Sequence, residues 1–188
     1  GGNSLLDLIV FGRASGLFIE NQLKEGISHK SVSNDDIEQG MNRLNKINNS
    51  KSGEKAPVLR SELQTIMQNY FGVFRRGDYM KKGIDKLNDL KARVENVHLE
   101  DKSSAFNTAR IEALELQNLF ETAYATAVAA EGRTESRGAH AREDFQERDD
   151  DNWLCHSIYT PGKREIGKRA VNMNLKTMKP FEPKVRTY

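Results

Sequence analysis

Residues 57–74, PVLRSELQTIMQNYFGVF, carry the clearest fold signal in this chain. Apolar side chains recur in it every three or four residues: Leu59, Leu63, Ile66, Met67, Tyr70, Phe71 and Phe74. This spacing places them on one face of an α-helix. Pro57 stands where a first-turn proline is favoured. The pattern predicts an amphipathic helix that starts near Pro57 and is ended by Gly77.

Two more long helices are predicted downstream. Asp78 can cap the first of them, and its apolar face carries Ile84, Leu87, Val94 and Val97. The second spans about Ser104 to Ala130, with a predicted core side of Phe106, Ile111, Leu114, Leu119 and Val128. Its alanine-rich second half, from Ala123 to Ala130, allows a neighbouring helix to approach closely. Since the links are short or moderate, the three helices predict an antiparallel bundle.

Two helices are predicted before the bundle. The first covers residues 4–20, with Ser4 as N-cap and Asp7 completing a capping box. It is apolar over most of its surface, which predicts a buried helix; the residues concerned are Leu5, Leu6, Ile9, Val10 and Phe11. The second starts at Ser33, with Asp36 three residues on, and reaches about Ile47. Polar residues 48–55 then form a linker.

The sequence pattern changes after Glu131, from helical spacing to strand and turn signals. A strand is predicted from Trp153 to Thr160, a turn at Pro161-Gly162-Lys163, and a return strand from Lys168 to Leu175. The end of the chain, from Lys176, is predicted to be extended. The fold class is therefore mainly α: an antiparallel three-helix bundle with a preceding buried helix and a small C-terminal β-hairpin with an extended tail. The predicted domains are residues 1–50, 51–131 and 132–188.

Composition excludes several function classes. The 188 residues are 30% charged and 37% hydrophobic, and no apolar run of about 18 residues is present, so no membrane span is predicted. The single cysteine, Cys155, excludes an internal disulfide. Basic residues outnumber acidic ones from Lys163 to Arg186, but no aromatic ladder or zinc spacing accompanies them, so no nucleic-acid partner is predicted.

Few side chains in this sequence suggest a catalytic or ligand-binding site. His140, Cys155 and His156 are too few and too badly spaced for a metal site, so no metal is predicted. Cys155 and His156 would point to opposite faces of a strand and form no nucleophile–base pair. The Gly1-Gly2-Asn3-Ser4 entry to the first helix offers free amides and a positive helix end, which suits an anionic ligand atom. The alternative is an ordinary glycine-containing turn before a helix.

A series of short motifs along the chain resembles one enzyme family. The most distinctive is Thr134 to Phe145, TESRGAHAREDF. The others are Gly1 to Asp7, Phe11-Gly12-Arg13, Val73-Phe74-Arg75, Phe106-Asn107-Thr108, Glu112 to Leu116, Asp149-Asp150, Asn152 to His156 and Arg186-Thr187-Tyr188. Together the motifs resemble the C-terminal portion of the flavoprotein subunit of succinate dehydrogenases and fumarate reductases, and most of all the bacterial succinate dehydrogenase branch.

The resemblance implies a function that this chain shares with residues upstream of Gly1. It implies an FAD-dependent enzyme that oxidises succinate to fumarate, in which Ser4 and Leu5 contact the pyrimidine side of the FAD. The family's flavin-attaching and catalytic residues lie upstream of Gly1, so we assign no catalytic residue here and expect the isolated chain to be inactive. The alternative from another class is a free-standing helical-bundle interaction module without redox activity.

The resemblance also implies partners. They are the upstream flavin domain and the iron–sulfur subunit of the same complex, which would sit at the cytoplasmic face of the bacterial inner membrane. Arg137, His140 and Arg142 are the candidate contacts with the iron–sulfur subunit, because arginine is favoured at interfaces for its planar fork of donors. The alternative role for these three residues is to hold the C-terminal segment onto the bundle through internal salt bridges.

Overall fold

A computed structural model describes residues 3–163, 165–174, 179–180 and 184. In chain order the elements are α1 (Asn3–Lys24), α2 (Asn34–Asn48), α3 (Ala56–Phe71), β1 (Phe74–Arg75), α4 (Gly77–Glu95), α5 (Thr108–Gly132), β2 (Ala141–Arg142), α6 (Asp150–Trp153), β3 (Cys155–Ile158) and β4 (Gly167–Ala170). The chain divides into two compact units, Gly1–Asn42 and Arg43–Tyr188. The domain limits at residues 50 and 131 stay predictions.

Helices α3, α4 and α5 pack on one another and form the core of the second unit. The start of α3 and the start of α5 line one small cavity together with His98 and Leu99, which follow α4. The helices therefore alternate in direction, and the predicted antiparallel bundle is confirmed. The core is formed by Leu59, Leu63, Ile66, Phe71, Met80, Ile84, Leu87, Leu90, Val94, Leu116 and Phe120 among others.

The end of α3 differs from the prediction. The helix stops at Phe71, Gly72 is extended, and Phe74 lies in β1 with its side chain exposed. Gly77 therefore begins α4 instead of ending α3, and Arg76 rather than Asp78 occupies the N-cap position. The reason is non-local, because β1 pairs in parallel with β2, a strand that lies more than 60 residues downstream.

The core face of α5 also differs from the prediction. Val128 is buried and Leu114 is half-buried, but Ile111 and Leu119 are exposed. Phe106 precedes the helix, is fully exposed and has a φ of 51°. The buried face is instead spaced every three or four residues along mostly small side chains: Ala113, Leu116, Phe120, Ala123, Ala127 and Ala130. Three alanines of the second half, Ala123, Ala127 and Ala130, lie in the buried core, and the close approach of a neighbouring helix stays a prediction.

The two N-terminal helices are confirmed, but the burial of the first is wrong. Helix α1 begins at Asn3, so Ser4 lies in its first turn and not at the N-cap. Its large apolar side chains are exposed, including the five used for the prediction: Leu5, Leu6, Ile9, Val10 and Phe11. An all-round apolar sequence shows that a helix needs covering but does not supply the covering surface. The capping box of α2 is confirmed, since the Asp36 N–H donates to Ser33 Oγ at 3.2 Å and Asp36 Oδ2 accepts from the Ser33 N–H at 3.3 Å.

The C-terminal hairpin is confirmed with shorter strands. β3 and β4 are antiparallel, with Cys155 opposite Ala170 and Ile158 opposite Gly167, and the predicted turn lies between them. Trp153 belongs to the short helix α6, capped by Asp149, and is not in the strand. Leu175, most of the tail predicted to be extended from Lys176, and the motif at residues 186–188 lie outside the described residues.

Replacing Gly83 by alanine is expected to lower the free energy of unfolding by about 1–3 kcal/mol. An added Cβ would stand 2.5 Å from atoms of Phe71 and Tyr70, where α4 crosses α3. This overpacking outweighs the gain of about 1 kcal/mol in helix propensity. The matched control is Gly40→Ala in α2, where the Cβ would meet nothing within 4 Å. Urea unfolding compares the two variants, and equal stabilisation of both would contradict the prediction.

Candidate functional site

A buried carboxylate organises the segment that follows α5. The Glu135 side chain is fully buried, and Oε1 lies 2.6 Å from Arg133 Nη2 and 2.8 Å from Arg137 Nε. Its Oε2 accepts from the Asp149 N–H at 2.9 Å. Burial alone raises the pKa of the Glu135 carboxyl. The hydrogen bonds from Arg137, Asp149 and Arg133 outweigh burial and leave that pKa below its ordinary value of 4.5.

The charge network extends outward from Glu135. Arg137 Nη2 lies 2.6 Å from Asp150 Oδ1, and Arg148 Nη2 lies 2.9 Å from Asp150 Oδ2. The hydrogen bonds to Glu135 and Asp150 raise the pKa of Arg137 above its ordinary value. Arg137 therefore joins the buried carboxylate to the start of α6.

Arg142 connects two helix ends. It is 3% exposed, and its Nη1 donates to the carbonyl oxygens of Ala130, Glu131 and Arg133 at 3.0–3.3 Å. These carbonyls at the end of α5 lack helical partners, and the negative helix end favours a cation there. The other guanidinium donors form a fork with Asp144 at 2.7 and 2.9 Å.

Asp144 completes this connection. Its Oδ2 accepts from the Gly77 N–H at 2.9 Å, at the start of α4. The hydrogen bonds from Arg142 hold the pKa of Asp144 well below its ordinary value of 3.8. Because this pKa is lowered on folding, the pair of Asp144 and Arg142 stabilises the fold at pH values above the ordinary pKa of the carboxyl. That contribution is lost as the pH falls below the ordinary pKa.

His140 is held in one tautomer. Nε2 lies 3.1 Å from the Arg133 carbonyl oxygen, which can only accept, and Nδ1 lies 2.8 Å from Arg75 Nη1, which can only donate. Nε2 therefore carries the proton and Nδ1 accepts. Burial lowers the pKa of His140, and the charges of Arg75 and Arg142 lower it further.

Arg133 ties this cluster to the hairpin. Its guanidinium donates to the carbonyl oxygens of Trp153 and Cys155 and to Ser157 Oγ, and it stacks 5.3 Å above the Trp153 ring. The Trp153 indole in turn donates to Thr134 Oγ1 at 3.1 Å. Arg133 therefore joins the hairpin to the end of α5.

The acidic side chains described above are held in ion pairs. Glu135, Asp144 and Asp150 are each engaged by arginine, so none of them is poised as a general base. Cys155 is half-buried and His156 is exposed on neighbouring positions of β3, and neighbouring strand positions point to opposite faces. Within the described residues, no group of three or more His, Cys, Asp or Glu side chains could hold a metal ion.

Ser4 and Leu5 lie in the first turn of α1. The N–H groups of a first turn have no acceptors inside the helix, and no acidic residue stands in this turn to compete for them. The Leu5 side chain is exposed.

Comparison with known proteins identifies the family. The family described as fumarate reductase flavoprotein C-term matches residues 60–188. The chain belongs to the flavoprotein subunits of the succinate dehydrogenases and fumarate reductases. The succinate dehydrogenase flavoprotein subunit of Coxiella burnetii is 50% identical over 99% of this chain and 32% of its own length. The fumarate reductase flavoprotein subunit of Haemophilus influenzae is 35% identical over 84% of this chain and 26% of its own length.

Solved structures of the same family superpose on this chain. A quinol–fumarate reductase with menaquinol molecules superposes with a TM-score of 0.76 at 32% identity, over 95% of this chain and 32% of the other. The Mycobacterium smegmatis Sdh1 complex in the apo form superposes with a TM-score of 0.75 at 30% identity, over 97% of this chain and 31% of the other. The chain thus spans about a third of the length of its flavoprotein relatives. Within the part of the chain that the structure describes, no helix is long and apolar enough to cross a membrane.

The structure brings together the three arginine and histidine residues that the sequence singled out in this flavoprotein chain. Arg137 and His140 precede β2 and Arg142 belongs to it, and each is bound to groups of the same chain. Sequence reasoning did not assign roles to Glu135, Asp144 or Arg75. The available signal was the spacing of arginine and acid two residues apart, in Arg133-Thr134-Glu135 and Arg142-Glu143-Asp144.

Proposed function

We propose that this chain forms the helical and C-terminal part of a succinate dehydrogenase flavoprotein subunit. In the whole subunit, FAD would oxidise succinate to fumarate and pass electrons to an iron–sulfur subunit and then to quinone. The observation that carries the proposal is the 50% identity to a succinate dehydrogenase flavoprotein subunit over nearly the whole chain. The fumarate reductase flavoprotein subunit of Haemophilus influenzae is 35% identical.

The chain's own contribution would be support of the flavin and of the assembly. FAD, when bound, supplies the two-electron acceptor. The free N–H groups of Ser4 and Leu5 would hold the pyrimidine edge of the ring and stabilise negative charge there. A preorganised donor of this kind contributes about 2.7–4 kcal/mol where it has been measured in other enzymes. The arginine–carboxylate cluster would keep the C-terminal segment rigid, and it contributes no catalytic residue.

Docking of the iron–sulfur subunit is the second part of the proposal. Arg137 and His140 line an open concavity of about 730 Å³ together with residues 146–151. Both keep some exposure and would contact the partner directly. Arg142 is almost fully buried, so it would support this surface from beneath. The assembled subunit would then lie peripherally at the cytoplasmic face of the bacterial inner membrane.

The test is made on membranes of the source organism. An antibody to this chain is used on a denaturing gel, and the same band is scanned for flavin fluorescence. A fluorescent band about three times larger than this chain supports the proposal. A non-fluorescent band at 21.3 kDa would instead favour a helical-bundle module without redox activity. The purified 188-residue chain is expected to reduce no dye with succinate, and reduction would refute the assignment of catalysis to the rest of the subunit.

A further inference from the structure

His140 lies between two partners that require the unprotonated form of its ring. Its Nδ1 lies 2.8 Å from Arg75 Nη1, and its Nε2 lies 3.1 Å from the Arg133 carbonyl oxygen. A guanidinium can only donate, so Nδ1 must keep its lone pair free to accept. A proton on Nδ1 would replace this hydrogen bond by a contact between two donors that both carry positive charge.

The charged groups closest to the ring are cations. Arg75 belongs to β1, Arg133 to the end of α5 and Arg142 to β2, and the positive charge of all three disfavours a further proton on His140. Within the described residues, the side-chain bonds of Arg75 and His140 involve no carboxylate. The acids of this neighbourhood are Glu135, Asp144 and Asp150, each bound to arginine, and Glu147, Asp149 and Asp151, which line the open concavity beside the ring.

Arg75 connects the ring to the pairing of β1 with β2. Its backbone pairs with Arg142, and its carbonyl oxygen accepts from the Glu143 N–H at 2.8 Å. The Arg75 side chain is half-buried, so a displaced guanidinium has to move toward solvent. Each of the two strands has only two residues, and so short a pair has little stability without side-chain contacts.

We propose that His140 is a proton-sensitive latch for the pair of strands β1 and β2. A proton that binds at Nδ1 displaces the Arg75 guanidinium, and the strand pair opens. The opening stays local, because Arg142 remains bound to Asp144 and to the carbonyl oxygens at the end of α5. Since His140 also lines the concavity, acidification would change the shape of that surface. This device does not depend on the reaction that the whole subunit catalyses.

The pH range of the latch follows from the groups around it. Burial and the arginine charges hold the pKa of His140 below its ordinary value of 6.5. Because this pKa is lowered on folding, the contribution of the unprotonated ring to stability is present above pH 6.5 and is lost as the pH falls below that value. Glu135 and Asp144 have pKa values below 4.5 and 3.8, so both stay charged in the pH range where the latch responds.

The test is hydrogen exchange of the whole flavoprotein subunit, measured by mass spectrometry from about pH 7.5 to about pH 5.5 and corrected for intrinsic exchange rates. The readout is the protection of peptides that cover residues 73–76 and 140–144. His140→Gln offers one donor and one acceptor, as the neutral ring does, but it does not titrate. Arg75→Leu removes the cation that the proton displaces. His156→Gln is the matched control, since His156 is an exposed histidine on β3.

In the wild-type subunit, the protection of both peptides is expected to fall about three- to tenfold over this range, because one proton taken up changes an equilibrium by at most tenfold per pH unit. The His156→Gln control should show the same loss. His140→Gln and Arg75→Leu should each keep a constant protection across the range, whatever its level. Constant protection in the wild type would overturn the latch. A wild-type pH dependence in either His140→Gln or Arg75→Leu would also overturn it, so the proposal stays testable if one variant does not fold.

Discussion

Glu135→Gln is expected to lower the free energy of unfolding by about 3–5 kcal/mol, one of the two largest effects of any single substitution discussed for this chain. The substitution keeps the shape of the side chain and removes its charge. Arg133 and Arg137 would then lose the buried carboxylate that both contact within 2.8 Å. Breaking a buried ion pair by removing one partner leaves charge without compensation in a medium that solvates it poorly.

The measurement is urea unfolding, supported by thermal unfolding. Each kcal/mol of lost stability lowers the midpoint of thermal unfolding by about 2–4 °C for a chain of this size, so this midpoint should fall by roughly 6–20 °C. Glu54→Gln is the matched control. Glu54 binds Arg93 at 2.6 Å, a distance like those at Glu135, but its side chain is 41% exposed. Solvent-exposed pairs contribute about 0–1 kcal/mol. Similar losses in the two variants would show that burial does not decide the strength of the pair.

Arg142→Met is expected to have a comparable effect, again about 3–5 kcal/mol. Methionine preserves much of the aliphatic volume, so packing changes little. The variant loses the fork to Asp144 and the bonds to three carbonyl oxygens at the end of α5. Those carbonyls and the Asp144 carboxylate would remain buried or half-buried without their strongest donor, and each such group costs about 1–3 kcal/mol.

Two further variants separate the causes. Arg142→Lys keeps the charge but not the planar fork, so its loss should be intermediate. Arg93→Met is the exposed control, since Arg93 binds two carboxylates, Glu54 and Glu62, with its side chain 38% exposed. Hydrogen exchange should show faster opening of the last turn of α5 and the first turn of α4 in Arg142→Met. Unchanged exchange at both helix ends would contradict the proposed connection.

Local signals predicted much of the architecture. The apolar period of residues 57–71, the proline in the first turn of α3 and the capping box at Ser33 and Asp36 all act within one or two helical turns. The turn at Pro161 and Gly162 is also local. Such features depend on neighbouring residues alone, so they can be read from the chain order.

Long-range contacts decided what the local signals predicted wrongly. Phe74 continues the apolar spacing of α3 and was predicted to be helical. It lies in β1 instead, because its backbone pairs with Ala141. Ile111 and Leu119 were predicted to lie on the core side of α5, but both are exposed. The core face of α5 instead combines Leu116 and Phe120 with four alanines, Ala113, Ala123, Ala127 and Ala130, because packing against α3 and α4 decides which face is covered.

The family, the helical class, the position of most helices and the hairpin could all be predicted from the amino-acid sequence. Motif order, apolar period and capping depend on residues close together in the chain, so distant neighbours are not needed to recognise them. The burial of Glu135 and Arg142 and the exposure of the apolar side chains of α1 could be learned only from the folded structure. Burial and charge pairing depend on which surfaces meet in space, and residues of the same type can be buried or exposed with nothing in the local sequence to distinguish them.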